Sequence, residues 1–448
     1  MRAADVEEKA QTNRGTRDFI KFVNSQSYQI GLGIILNLPI SFSRSTAYDL
    51  SERLSYCFIL FIHNGMEPLS DQEKKRINKL ATYVMRNLEY YGPKWTNNHY
   101  LNNARALLCA SIMLGDRALA NRAVHILQSA LATNFPNLFF RERSTSYQCL
   151  VQYWLKMIYL GLVLIGGPAH IKKNVLDLVK KNEVKGLNRL NFGDNTPDFS
   201  KVNTHSLSQF FDQFLPNFFP VETSNWITFI RKKNFDFAIV TRELEHFGPE
   251  HGYRNLACFQ MDFKGKPVFI ANARSSYNKT LKEFNSKEDV RSSGVMQIDS
   301  KAIYTRPTSH YGTDPTSLPY LSDVDCEVSN GSISFVINSS LGPIKEEFSF
   351  KDDEVTIKLR HQNICETKMF FLLPEGFRYI DGYLQTVGQK FLLEGSTSLV
   401  GIEEKLCRYS DDYGSVKTGM QLVVSFKSSS LGCCSYIKLK ESLDGISI

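Results

Sequence analysis

The feature that most limits what this chain can fold into is a change of hydrophobic period part-way along it. In residues 72–90, Ile77, Leu80, Ala81, Val84, Met85 and Leu88 recur at three- and four-residue steps with charges opposite, the stripe of a helix packed on one side. In residues 354–360, Val355, Ile357 and Leu359 alternate with Glu354, Thr356, Lys358 and Arg360, the pattern of a half-buried strand. The first pattern belongs to the first half of the chain and the second to the rest.

The helical period continues through residues 95–114 (WTNNHYLNNARALLCASIML), Ala118–Ala132, Ser146–Leu164 and Ile171–Lys181. Gly92-Pro93, Gly115-Asp116 and Gly166-Gly167-Pro168 punctuate these stretches as helix stops, and links this short imply antiparallel neighbours. From about residue 224 the texture changes. Ile333, Phe335 and Ile337 alternate just after Asn330-Gly331, a tight-turn signal. Phe235–Arg242, Leu256–Phe263, Pro267–Asn272, Met369–Leu373, Leu422–Lys427 and Ser435–Lys440 read as further strands, and many short strands between turns indicate a sandwich. Residues 185–223 form the junction. The expected division is a helical domain over 1–220 and an antiparallel β-sandwich over 221–448, an α+β multidomain chain whose interdomain cleft is a natural ligand site.

At 448 residues the chain has ample core for such a division, and 42% hydrophobic with 22% charged residues fits a globular protein. The net charge of +7 is spread without any run of five Lys or Arg. Such a charge suits acidic ligands, serves equally as solubility charge, and marks out no nucleic-acid site. The apolar stretch Ile30–Phe42 is too short to span a bilayer and contains Asn37 and Pro39. The charged N-terminus lacks a secretory pattern and the nine cysteines, Cys433-Cys434 included, show no metal-ligand spacing. Reduced thiols and a cytoplasmic setting are expected, with a periplasmic or secreted one if a leader has been clipped, and the sequons at Asn278, Asn330 and Asn338 then have no role. The sequence sets no oligomeric state.

Three polar clusters interrupt the patterns. Asn97-Asn98-His99 opens the helix of residues 95–114; one Asn suits an N-cap, but Asn102 and Asn103 follow inside the helix, where Asn is a poor former. Arg141-Glu142-Arg143-Ser144-Thr145-Ser146-Tyr147-Gln148 precedes an apolar helix, with Ser144 or Ser146 as cap; a cation beside a tyrosine favours phenolate. His246 to Asn255, with Gly248, His251, Gly252 and Arg254, reads as a loop between strands, a common place for a site histidine.

Taken in order, these clusters resemble the heparinase II/III-like polysaccharide lyases, a family related to some alginate lyases. Asn98-His99 matches that family's Asn-His pair at a helix start, and Glu142, Ser144 and Tyr147 reproduce its Glu-x-Ser-x-x-Tyr element. Asn191-Phe192-Gly193-Asp194-Asn195 corresponds to a Gly-Asp element closing the helical domain. His251-Gly252-Tyr253-Arg254-Asn255, then Gly265-Lys266-Pro267 and a strand ending at Asn272, correspond to its His-Gly-His-x-Asp pattern and the following turn and strand; Ser275-Ser276-Tyr277-Asn278 also fits. The resemblance covers roughly residues 70–310 and implies an incomplete (α/α) toroid followed by the β-sandwich.

It further implies β-elimination on an acidic, uronate-containing polysaccharide or oligosaccharide. In that chemistry the substrate carboxylate is neutralised, the C5 proton abstracted and the C4 oxygen expelled. Asn98 with His251 is expected to meet the carboxylate. Tyr147 is the expected acid, and also the base where both protons lie on one face; His99 is the base for the opposite geometry. Asn97, Asn102, Arg141, Glu142, Arg143 and Arg254 are the expected substrate-binding residues. Relatives that carry a structural metal place ligands where this chain has Tyr253, Asn272 and Ser293, so neither metal nor other cofactor is expected. Two rivals follow: a lyase-like glycan-binding protein without turnover, and a glycoside hydrolase, which needs two opposed carboxylates such as Glu142 and Asp194.

Overall fold

A computed structural model describes residues 46–93, 96–142, 144–190, 224–241, 257–271, 295–298, 324–329, 331–339, 342–361, 365–387, 389–409, 417–427 and 434–442, with positions 36, 192, 208, 211–215, 221 and 301–302 besides. Helices come first: α1 (Ala47–His63), α2 (Asp71–Arg86), α3 (Asn98–Leu114), α4 (Arg117–Asn134), α5 (Thr145–Leu164) and α6 (Ala169–Asn182). Capping boxes start α1 at Thr46 with Asp49 and α2 at Ser70 with Glu73, each satisfying two otherwise orphan N–H groups. Helix α3 packs against α1, α2, α4 and α5. Gly161 on α5 permits the approach of α3, because a Cβ there would stand 2.9 Å from Leu108 Cδ2. Among the described residues, no helix is long and apolar enough to cross a membrane.

Helix α1 is not among the helices expected from the sequence; its apolar Leu50, Leu54, Cys57, Phe58 and Phe61 are joined in burial by Ser51, Glu52, Arg53 and Ser55. One helical expectation changes. The stripe of residues 72–90 outlasts its helix: α2 stops at Arg86, where Asn87 Nδ2 donates to the Tyr83 carbonyl at 2.8 Å. Leu88 to Tyr90 leave the helix on the way to α3.

The strands are β1 (Ile227–Arg231), β2 (Phe235–Val240), β3 (Phe259–Phe263), β4 (Lys266–Phe269), β5 (Val295–Ile298), β6 (Lys301–Ala302), β7 (Val324–Ser329), β8 (Ser332–Ser339) and β9 (Gly342–Phe350). They continue as β10 (Glu354–His361), β11 (Glu366–Leu373), β12 (Arg378–Ile380), β13 (Tyr383–Thr386), β14 (Gln389–Gly395), β15 (Leu399–Tyr409), β16 (Lys417–Lys427) and β17 (Cys434–Glu441). One sheet runs β12-β13-β14-β17-β10-β9-β8-β7, another β15-β16-β11-β5-β6, and a third β1-β2-β3-β4. The third joins the second through an Ile270–Leu372 bridge and faces the first through phenylalanines, with Phe237 4.6 Å from Phe350 and Phe263 5.0 Å from Phe391 between ring centroids. Antiparallel layers thus enclose an aromatic core, as the alternating pattern requires.

The helical part is seated on the sheets by buried polar links. Trp226, just before β1, donates Nε1–H to Gln148 Oε1 on α5 at 3.1 Å, and Gln148 Nε2 donates to the Asn182 carbonyl at 2.8 Å. The N–H of Thr145, the first residue of α5, donates to the Phe192 carbonyl at 2.8 Å, and the Phe192 ring meets Trp226 edge-on.

One core position breaks the alternating code. Glu346 on β9 faces inward between Ile344 and Phe348, with Phe335 and Leu359 as its cross-strand partners. It has no exposed surface and neither carboxyl oxygen has a hydrogen-bond partner among the described residues, and burial holds its pKa well above the usual carboxylate range. The sign follows from linkage. The unfolded chain ionises this group first, so stability falls as pH rises from the ordinary carboxyl range toward the raised value. Glu346→Leu is expected to stabilise the protein by about 1–3 kcal/mol at about pH 8 and by much less at about pH 4.5. Calorimetric unfolding of both proteins at the two pH values checks this; an equal effect at both contradicts it.

Candidate active site

The site begins where α3 begins. Asn97 caps the helix, its Oδ1 accepting the His99 N–H at 3.0 Å. Asn98 follows with no exposed surface, because a second element closes over it. That element is the turn before α5. Glu142 Oε1 accepts the Asn98 backbone N–H at 2.8 Å, and Asn98 Nδ2 donates to Oε1 and Oε2 at 2.9 Å each. Two residues on, Ser144 caps α5 by accepting the Tyr147 N–H at 3.3 Å. The starts of α3 and α5 are therefore bonded to each other, and Tyr147 lies in the first turn of α5. Arg141 secures the same turn: its Nη1 donates to the Pro93 carbonyl at 2.8 Å and, more loosely, to those of Thr133 and Thr96.

His99 stands beside this junction and is partly open to solvent, with 26% of its side chain exposed. Its Nδ1 lies 3.1 Å from Glu89 Oε1, and its ring centroid lies 4.3 Å from that of Tyr48 on α1. Glu89 is itself held. Its backbone N–H donates to Asn103 Oδ1 at 2.9 Å, and Asn103 Nδ2 approaches Glu89 Oε2 at 3.4 Å while donating to Ser51 Oγ at 3.1 Å. His99 Nε2 has no hydrogen-bond partner among the described residues.

Below lies a buried polar layer. Arg105 donates to Glu52 at 2.5 Å, to Asn102 Oδ1 at 2.7 Å and to the Tyr153 hydroxyl at 3.1 Å, with its guanidinium 4.4 Å from the Trp154 ring centroid. Burial opposes the Arg105 charge, but Glu52 and Tyr153 outweigh it and hold its pKa above the ordinary value. Burial pushes the Cys57 and Cys109 thiols up to about 12, so neither is a thiolate nucleophile.

The structure thus brings together Asn97, Asn98, His99, Arg141 and Glu142, with Tyr147 one helical turn beyond Ser144. It corrects the expectation for Asn102, which has no exposed surface and serves as acceptor for Arg105 rather than facing a groove. Glu142 is likewise without exposed surface, its oxygens taken by Asn98. That same bonding leaves the Asn98 amide N–H groups facing Glu142. Arg143, Asp194, His251, Tyr253, Arg254, Asn272 and Ser293 lie outside the described residues. Sequence reasoning missed Glu89 and Tyr48. Glu89 carries no motif, and Tyr48 lies on α1, a helix not among those expected from the sequence.

Helices followed by facing antiparallel sheets are a fold that this chain shares with solved polysaccharide lyases. Similar solved structures are a heparinase III (TM-score 0.61, 10% identity, covering 98% of this chain and 75% of that one) and the heparan sulfate lyase of Pedobacter heparinus (0.56, 11%, 96% and 73%). A third is the chondroitin AC lyase of Streptomyces coelicolor A3 in complex with chondroitin sulphate (0.51, 11%, 95% and 70%). No protein-family model and no curated protein sequence matches the chain.

The Glu142–Asn98 junction makes a stability prediction. Glu142→Ala leaves two buried donor groups, the Asn98 backbone N–H and Nδ2, unanswered and is expected to cost about 2–4 kcal/mol, with Glu142→Gln costing less because one acceptor survives. Denaturant unfolding of the three proteins measures it. An unchanged midpoint in Glu142→Ala contradicts the strut assignment.

Proposed function

We propose that the protein is a polysaccharide lyase that cleaves a uronate-containing glycan by β-elimination. The observation that carries this reading is the pairing of a partly exposed imidazole, His99, with the helix start that bears Tyr147, through the Asn98–Glu142 junction. The likeness of fold to heparinase III and chondroitin AC lyase supports it.

In the reaction a base takes the C5 proton, the C5–H electrons form the C4=C5 double bond, and the C4–O bond breaks. The departing oxygen receives a proton from an acid. His99 suits the base, since its Nε2 meets no described partner, and Tyr147 suits the acid. The substrate carboxylate must be met by positive charge, or the C5 proton stays too weakly acidic. Arg141, fastened at the start of α3, supplies such a charge, and the positive end of the α5 dipole adds to it. Asn98, its amide hydrogens on Glu142, contributes by holding this end of the cleft in shape. His251 and Arg254 complete the proposed set.

One observation favours the second reading, a glycan-binding protein without turnover: Asn98 has no exposed surface and Tyr147 only 4%. The hydrolase reading is disfavoured, because Glu142 is fully engaged by Asn98 and is not free to move a proton to a leaving group.

Incubation with heparan, chondroitin, alginate and other uronate glycans, read by the ultraviolet absorbance of the new conjugated double bond, tests the proposal. Turnover is expected on at least one substrate, with losses of about 100-fold or more in kcat for Tyr147→Phe and His99→Ala. Binding without product across the panel, or unchanged activity in both variants, rejects the lyase reading.

A further inference from the structure

We propose that Glu89 is a positioning residue that fixes His99 as the proton acceptor of the site. The argument starts from hydrogen-bond inventory. An ionised carboxylate can only accept, so the 3.1 Å contact between Glu89 Oε1 and His99 Nδ1 requires the ring proton to sit on Nδ1. In the neutral imidazole the lone pair then resides on Nε2, the nitrogen left without a partner among the described residues.

The carboxylate is well placed to dictate this. Its side chain is 12% exposed against 26% for His99, so water competes poorly for it. Asn103 grips the same residue twice, accepting its backbone N–H at 2.9 Å and offering Nδ2 to Oε2 at 3.4 Å. Tyr48, 4.3 Å away between centroids, covers the imidazole and limits its rotation. Ring, carboxylate and amide thus form a relay, Asn103–Glu89–His99, in which each member orients the next.

For the tautomer the inference stands on geometry alone; for catalysis it rests on the lyase reading and sharpens it by making His99 the base and leaving Tyr147 the acid. The C5 proton goes to Nε2, the C5–H electrons form the double bond, and the C4–O pair leaves with a proton from the Tyr147 hydroxyl.

Nitrogen-15 NMR of the histidine rings tests it, with the His99 signals identified by their loss in His99→Gln. In the neutral-ring limit, wild-type protein is expected to show a protonated Nδ1 and an unprotonated Nε2. Glu89→Ala should move the proton toward Nε2, and Glu89→Asp should restore part of the wild-type pattern. In the turnover assay Glu89→Ala should lose about 10- to 100-fold in kcat with KM within about twofold, the size expected for removing an orienting partner of a histidine. A wild-type ring protonated at Nε2, or shifts and kcat unchanged in Glu89→Ala, overturns the assignment. The wild-type spectrum decides the tautomer even if the variant fails to fold. If no glycan is cleaved while the tautomer is as stated, the lyase reading fails and the Glu89 assignment stands.

Discussion

A carboxylate with no exposed surface costs several kcal/mol to bury unless donors converge on it. Glu142 meets three N–H···O contacts, all from Asn98, at 2.8 to 2.9 Å. The remaining geometry depends on this exchange. It joins the turn before α5 to the first residue of α3 with charge-assisted bonds, so the two helix starts have no freedom to slide. His99 is the next residue after one partner, and Tyr147 lies five after the other. Proton-transfer groups contributed by different helices need such a tie, because a misplacement of about 1 Å can cost about 100-fold in rate.

The same logic explains why α3 is polar inside. It is covered by α1, α2, α4 and α5, so Asn98, Asn102, Asn103 and Arg105 have no exposed surface on any face. A buried polar group is tolerable only when partnered. Arg105 finds Glu52, Asn102, Tyr153 and the Trp154 face; Asn103 finds Ser51 and Glu89. This layer locks α1 to α3, and through Tyr48 it fixes the surroundings of the His99 ring. The two asparagines that look wrong for a helix interior are therefore structural struts, one turned toward the core and one toward the site.

Elements with one apolar face were legible from period alone. Helices α2, α4 and α6 and strand β8 show that face in sequence, because a half-buried element must alternate in its own geometry; α5, β2 and β16, buried on nearly every side, are legible as apolar runs between turns. Helix α1 carries the helical period, with Leu50, Leu54, Cys57, Phe58 and Phe61 at three- and four-residue steps, but its buried Ser51, Glu52, Arg53 and Ser55 blur the contrast between its faces. Strand β9 was not legible for a different reason: Glu346 sits on a core position that an alternating pattern assigns to an apolar side chain. At the site, Asn98, His99, Glu142 and Tyr147 were legible because they fall in short motifs at helix starts. Their pairing was not, since Asn98 and Glu142 stand 44 residues apart and nothing in a single sequence reports that contact. Motif matching also cannot tell a substrate ligand from a strut, and Asn102 and Glu142 fall on the strut side.

Glu89 shows how a helix terminus can set chemistry. The apolar stripe runs through Leu88, and the obvious stop, Gly92-Pro93, comes later, so period alone leaves Glu89 inside α2. Had the helix continued, the Glu89 N–H would be tied to the carbonyl four residues back. Asn87 ends the helix instead, folding its amide onto the Tyr83 carbonyl. The chain leaves the helix, the Glu89 N–H becomes available, and Asn103 takes it. With its backbone anchored there, Glu89 directs its carboxylate to His99 rather than to solvent. A cap three residues after the last helical valine thus supplies the imidazole with its partner.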